Sequence, residues 1–334
     1  MSVRVVFDYD KQKWENFIIE HEYGNVFQSP KMYEVYCVTE NNSPFCIFAI
    51  DDTDRLLGVL QAVIVKNSSG FLGKLTSRSI IIGGPLAINN DKKIIKTMLL
   101  AYVDKIKNKA IYSQIRNQWD VLPVNDAFQV AGFMFASHLN FIFNLNKGSD
   151  FVWKNISKSR RKKINKAVKN KLEFIVYESD ISDEMLEECF EIIREVYLYA
   201  KLPLSDISLV KSANKQKTIK MFTVYFDGKM IGCRYALCYN KIVFGWYAGS
   251  SRKFYNLFPN DFLIWKTLEW STKNDYDIFD YGGAGKPNEK YGVRDFKSKI
   301  GGELVNFGRY EMIHNKLLMI IGKIGLLVWK KIKK

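Results

Sequence analysis

The pattern Asn90-Asp91-x-x-Ile94-x-Lys96-Thr97 returns 170 positions later as Asn260-Asp261-x-x-Ile264-x-Lys266-Thr267. Each copy opens an amphipathic helix, and each helix follows strand-like runs broken at an acidic or glycine turn: Asp54-Arg55-Leu56-Leu57-Gly58 in one case, Asp227-Gly228-Lys229-Met230-Ile231-Gly232 in the other. A chain that repeats an order of elements at this distance is expected to fold as two units of one kind, since one core rarely serves 334 residues. In the first unit helices are predicted over 11–21 and from the cap Asn89-Asn90-Asp91, where Ile94, Ile95, Met98, Leu99, Tyr102 and Ile106 recur on one face. Strands are predicted from Val35 and over 45–50, 56–65, 79–82 and 110–115. In the second, a basic helix and an acidic helix (183–199) precede strands over 221–226, 231–239 and 242–248, a helix from about Asn260 and a strand over 277–281. The expected class is mixed α/β (α+β), a tandem pair of mixed twisted sheets flanked by helices. The expected bounds are 1–150, 151–312 with the site, and a basic amphipathic helix over 313–334.

The formal charge is +15, and its placement is more informative than its size. Residues 151–172 carry nine basic side chains and no acid, 316–334 carry six and no acid, and the rest of the chain nets zero. Charge concentrated in this way points to anionic partners and says nothing of fold. Five cysteines without a CxxC pair or zinc-spaced histidines predict neither a disulfide framework nor a metal site. The opening MSVRVVFDYDKQKWENF has no apolar signal core, and no run reaches the ~18 apolar residues of a membrane span. A cytoplasmic chain, peripheral on the inner face of a membrane at most, is expected.

Chemistry is suggested by Asp280-Tyr281-Gly282-Gly283-Ala284-Gly285, followed by Tyr291-Gly292-Val293-Arg294-Asp295-Phe296-Lys297. A strand that ends in paired glycines lets its N–H groups approach a ligand with no Cβ in the way. A nearby lysine can then stabilise negative charge as it develops, which is what acyl transfer requires. A plain turn is the bland alternative. Gly282-Gly283-Ala284-Gly285-Lys286-Pro287 lacks the spacing and the Ser/Thr of a phosphate loop. None of His21, His138 and His314 stands in a nucleophile–base context, and His138 reads as a strand residue. On the basic helix, Lys158, Arg160, Arg161, Lys162, Lys163, Lys166 and Lys169 surround an apolar stripe of Ile164, Ala167, Val168 and Leu172. With no acid interspersed, it predicts a phosphate-bearing partner: RNA, a nucleotide or anionic lipid. At the C-terminus Leu317, Leu318, Ile321, Ile324, Leu327, Val328 and Trp329 form an apolar side, with Lys316, Lys323 and Lys330 recurring at seven-residue intervals. Such a helix packs on the second unit or lies on a membrane surface, and the expectation favours the surface.

Five motifs in order carry a family resemblance: Phe27-Gln28-Ser29, Ser157 to Ala167, Trp246-Tyr247-Ala248-Gly249-Ser250, Asp280-Tyr281-Gly282-Gly283 and Phe296-Lys297. In these the chain resembles the FemABX family of non-ribosomal peptidyl transferases, which are built from two domains of the Gcn5-related N-acetyltransferase (GNAT) fold. The resemblance implies transfer of an aminoacyl group from aminoacyl-tRNA to an amine on a cell-wall or envelope precursor, with no metal or organic cofactor. It gives Lys297, beside Phe296, the role of steadying charge at the acyl group, with the backbone at Gly282 and Gly283 assisting. Removal of the amine proton is unassigned beside this resemblance, open between Tyr247, Tyr281 and the substrate itself, and Trp246, Arg160, Arg161 and Lys162 are the expected substrate contacts. Two departures narrow the acceptor. Tyr36 and Leu202 stand where the family has a lysine and an arginine that hold a nucleotide diphosphate, so a lipid- or saccharide-linked acceptor is expected, and no segment is available for the helical tRNA-binding arm of some members. Within the same fold the rival is an acyl-CoA N-acyltransferase, disfavoured because Ser251 to Asn260 contains no glycine for a pyrophosphate loop. A non-catalytic adaptor for RNA or membrane is the rival of another class, and it predicts that Lys297→Ala is harmless.

Overall fold

The structure is a computed structural model that describes residues 2–66, 73 and 76–322. Strands β1 (Arg4–Val6), β2 (Asn42–Ile50), β3 (Leu56–Val65), β4 (Arg78–Ile82), β5 (Leu86–Ala87), β6 (Tyr112–Arg116) and β7 (Met134–Ala136) come first in the chain. Then follow β8 (Asn140–Asn144), β9 (Glu173–Tyr177), β10 (Ile219–Phe226), β11 (Lys229–Tyr239), β12 (Ile242–Ser250), β13 (Ile278–Gly283), β14 (Glu303–Val305) and β15 (Arg309–Ile313). They build two sheets, ordered β1-β2-β3-β4-β6-β15-β7, with β5 on β3, and β14-β8-β13-β12-β11-β10-β9.

In each sheet one neighbouring pair runs parallel, β4 with β6 and β12 with β13. A parallel pair needs a crossover, and a helix supplies it both times: Lys92–Ile106 and Pro259–Lys273. These are the helices that the repeated octad opens, so the internal repeat marks the same step of the same fold. The stripe predicted from Ile94 to Ile106 is buried on the first sheet, and Phe262, Leu263, Ile264 and Leu268 are buried with Phe222 and Phe279 of the second.

The division of the chain differs from the expected bounds. One unit holds the residues up to Ser137 and those from Phe307 on; the other is His138–Asn306. β8 already pairs with β13 and β14, so the second unit begins ahead of residue 151. β15 pairs with β6 and β7, so the chain returns to the first sheet before residue 312. Buried Tyr310 fixes that return by stacking on Phe128, ring centroids 4.1 Å apart, and donating to Asn125 Oδ1 at 2.6 Å. Such pairing is non-local and leaves no signature at the boundary itself. The strand predicted from Val35 is instead the helix Pro30–Val38, started by the Ser29 cap on Met32 N–H and by Pro30 in its first turn.

At the C-terminus a helix is described over 316–322. Lys323, Ile324, Leu327, Val328, Trp329 and Lys330 of the predicted tail lie outside the described residues. No described helix is long and apolar enough to cross a membrane.

Candidate active site

The second sheet is prepared for a site by a defect. β12 and β13 pair only through Ile242–Phe244 and Ile278–Asp280. Across β11, Tyr235 faces Tyr247 while Ala236 faces Gly245, so Trp246 is an extra, bulged residue. A bulge bends its strand and increases twist. The pairing of β12 with β13 ends where the bulge begins, leaving the glycine end of β13 without β12 as its ladder partner.

The helix Gly292–Ile300 delivers Lys297 to this end. Its ammonium is buried and donates to three successive carbonyls: Tyr281, and those of Gly282 and Gly283 at 3.1 and 3.0 Å. Gly282 has φ +74°, a conformation that a residue with a Cβ rarely adopts, and it aims these carbonyls at one point. Its N–H donates to buried Asp280 at 2.7 Å. Burial pushes the Asp280 carboxyl up to about 6. Burial likewise brings Lys297 down to about 7, with Asp280 opposing that shift and Arg234 adding to it.

Arg234, on β11, is the residue that the sequence reading missed. It is 5% exposed, its Nε has no hydrogen-bond partner among the described residues, and its guanidinium lies 5.2 Å from the Tyr281 ring centroid. The Lys297 ammonium lies 4.6 Å from the same centroid, so one ring serves two cations. Gly245 makes room, since a Cβ there would come within 2.6 Å of Arg234 Nη1. An arginine inside the run Gly232-Cys233-Arg234-Tyr235-Ala236 is itself a signal, because arginine is rarely buried without a purpose. His138 departs from the strand expected for it. It lies in the connection ahead of β8, not in a strand, and its ring packs where a Cβ of Gly283 would be, with Cε1 2.9 Å from that point.

The other expected residues divide into two groups. Tyr281 is buried, and burial holds its phenol above the ordinary value, so it keeps its proton at neutral pH. Tyr247 is half-buried and donates to Ser205 Oγ at 3.1 Å, with Trp246 beside it at 5.1 Å. Arg160 is not free for phosphate: it pairs with buried Asp261 at 2.9 Å and stacks on Phe296 at 4.3 Å. Arg161 is half-buried and Lys162 exposed on the helix Lys158–Lys169, where Ile164 and Ala167 form the packed side and Val168 faces outward. In the first copy of the repeat Asp91 caps its helix, accepting from Lys93 and Ile94 N–H, whereas Asp261 sits inside the first turn and binds Arg160. Two cavities, of about 740 and 730 Å³, are lined by residues of the first unit and by none of the site residues named above.

Residues 158–298, which contain this splayed strand end and Lys297, match the family model described as an acetyltransferase (GNAT) domain. The second unit has the fold of a GNAT domain. No curated protein sequence matches the chain. Among solved structures, FemX aligns with 96% of this chain and 100% of its own at a TM-score of 0.73 and 16% identity. A tandem GNAT protein from the clavulanic acid biosynthesis pathway aligns over 94% and 99%, with a TM-score of 0.62 and 8% identity. The C-terminal domain of an Agrobacterium fabrum protein named as a lysylphosphatidylglycerol synthetase aligns over 95% of both, with a TM-score of 0.58 and 12% identity. The chain thus has the tandem GNAT architecture throughout, as the resemblance to FemABX proteins implied.

Proposed function

We propose that this tandem GNAT chain transfers an aminoacyl group from aminoacyl-tRNA to an amine on a lipid- or saccharide-linked envelope precursor. The observation that carries the reading is Lys297, a buried cation held at the glycine end of β13 by three carbonyls. The amine attacks the ester carbonyl, negative charge gathers on the carbonyl oxygen, and collapse breaks the bond to the ribose oxygen, which leaves with the proton given up by the amine. An ammonium has three donors, and here all three are engaged with the backbone. Lys297 would exchange one carbonyl for the oxyanion, so that its favourable contact with substrate is made as charge develops. The FemX and lysylphosphatidylglycerol synthetase likenesses favour an aminoacyl donor, and the exposed lysines of the helix Lys158–Lys169 offer charge for the tRNA backbone.

Coenzyme A fits this chain less well. Acyl-CoA enzymes of the fold seat pyrophosphate on a helix N-terminus. Here the helix Pro259–Lys273 begins with a proline, which has no N–H to give, and its first turn already holds the Asp261 carboxylate with Arg160 upon it. With purified protein and a panel of aminoacyl-tRNAs and acyl-CoAs, aminoacyl-tRNA is expected to raise the melting temperature and support transfer, and acyl-CoAs to do neither. Protection by an acyl-CoA alone would reverse the choice of donor.

Lys297 acts only while protonated, which makes the rate sensitive to pH. With its ammonium brought down to about 7, kcat/KM should fall as pH rises through about 7. Arg234→Met removes a like charge that opposes protonation, so this limb should move to higher pH. A limb that stays in place would show that Lys297 is not the titrating group. Stability carries the opposite sign. Unfolded Lys297 holds its proton to higher pH than the folded residue, so its contribution to stability rises between about 7 and its ordinary value of 10.5.

A further inference from the structure

We propose that the first unit carries a docking site for an anionic lipid surface, made of a lysine-ringed cavity and the exposed apolar side of the helix over 316–322. The cavity, of about 740 Å³, is lined by Lys66, Lys105, Lys107 and Lys109, with His314 and Leu318 at the helix. Lys107 is neutralised by Asp104 at 2.7 Å. Lys66, Lys105 and Lys109 form no ion pair among the described residues. Lys105 instead lies 3.7 Å above the Phe7 ring. Burial, and then the neighbouring charge of Lys109, hold its ammonium below the ordinary value. Like charges crowded beside low-dielectric walls repel one another, and an anion placed among them relieves the repulsion. Among the described residues that line the cavity there is no Asp or Glu.

The helix beside the cavity is anchored. His314 and Asn315 donate their N–H groups to the Ile111 carbonyl, the His314 ring bonds to Ser113 Oγ at 2.6 Å, and Asn315 Oδ1 accepts from Leu318 N–H. So held, it leaves Leu317 67%, Ile320 56% and Ile321 47% exposed. A free phosphate or an acidic polymer would account for the lysines and not for these three. Apolar side chains flanked by uncompensated lysines suit the boundary of a membrane, where the apolar groups enter the interface and the lysines meet lipid phosphates. This surface is independent of the donor and acceptor proposed above.

Full-length protein should co-sediment with phosphatidylglycerol–phosphatidylcholine vesicles and not with phosphatidylcholine alone. Lys66→Gln/Lys109→Gln should weaken that binding about tenfold or more, the weight of two lysines near an anionic surface. Leu317→Ser/Ile320→Ser should weaken it at unchanged charge. All the substituted side chains project from the surface or line the open cavity, so melting temperature and transfer to a soluble acceptor should stay as in the wild type. Equal binding to both vesicle types would overturn the proposal, as would anionic-vesicle binding that ignores the lysine pair, which would trace to the lysines of 323–334. So would displacement by inorganic phosphate at a concentration where chloride of equal ionic strength has no effect, which would assign the cavity to a free anion.

Discussion

Lys297→Ala should slow single-turnover aminoacyl transfer by two to three orders of magnitude, equivalent to about 3–4 kcal/mol of transition-state stabilisation. The KM for the donor should change little, because the ammonium is engaged with the backbone at rest and meets substrate only as charge develops. The variant also changes the resting protein. Deleting the ammonium removes a buried charge, which is favourable, and leaves the carbonyls of residues 281–283 without their donor, at roughly 1–3 kcal/mol for each that water cannot reach. Thermal melting must therefore be measured beside the rate, with assays run well below the transition. Lys297→Arg separates the two effects. It retains a cation, but a planar fork cannot point donors at three carbonyls around one atom, so most of the rate should be lost while a charge remains. Wild-type turnover in Lys297→Ala would leave the adaptor reading standing and remove Lys297 from the chemistry.

The parts of this molecule legible in its sequence are those fixed by local pattern. The apolar stripe from Ile94 to Ile106 and the acidic helix Asp183–Tyr199 obey helical periodicity, the strand Leu56–Val65 is a short continuous apolar run between turn signals, and each is found where the pattern places it. The octad repeat went further and marked the crossover helix of both sheets. What the pattern could not give is decided between distant segments: β8 passing to the second sheet, β15 returning to the first, the bulge at Trp246, and the placing of Arg234 and Lys297 on one tyrosine ring. The paired glycines correctly marked a backbone that must turn where a side chain could not. They did not reveal that its carbonyls, more than its N–H groups, face the lysine.

Arg160→Ala tests the correction that the structure makes to the basic helix. Read as a phosphate ligand, Arg160 would be dispensable for stability and needed for tRNA. The structure gives it to Asp261, both side chains largely buried, with the Phe296 ring beneath the guanidinium. Removing one partner of such a pair leaves a charge that neither water nor protein satisfies, and costs about 3–5 kcal/mol. The expected result is a large fall in melting temperature at neutral pH. Burial already raises the Asp261 carboxyl above its ordinary value against the pull of Arg160. In Arg160→Ala it should rise further, so the variant takes up a proton on folding and its deficit should shrink as pH is lowered toward the carboxylate range. Arg160→Met with Asp261→Leu should recover much of the loss, since two apolar groups of similar volume need no partner. Lys162→Ala is the control, an exposed cation on the same helix, expected to leave melting unchanged and to weaken tRNA binding in a salt-dependent way. Unchanged melting in Arg160→Ala with lost tRNA binding would return Arg160 to the substrate and leave Asp261 without its structural role.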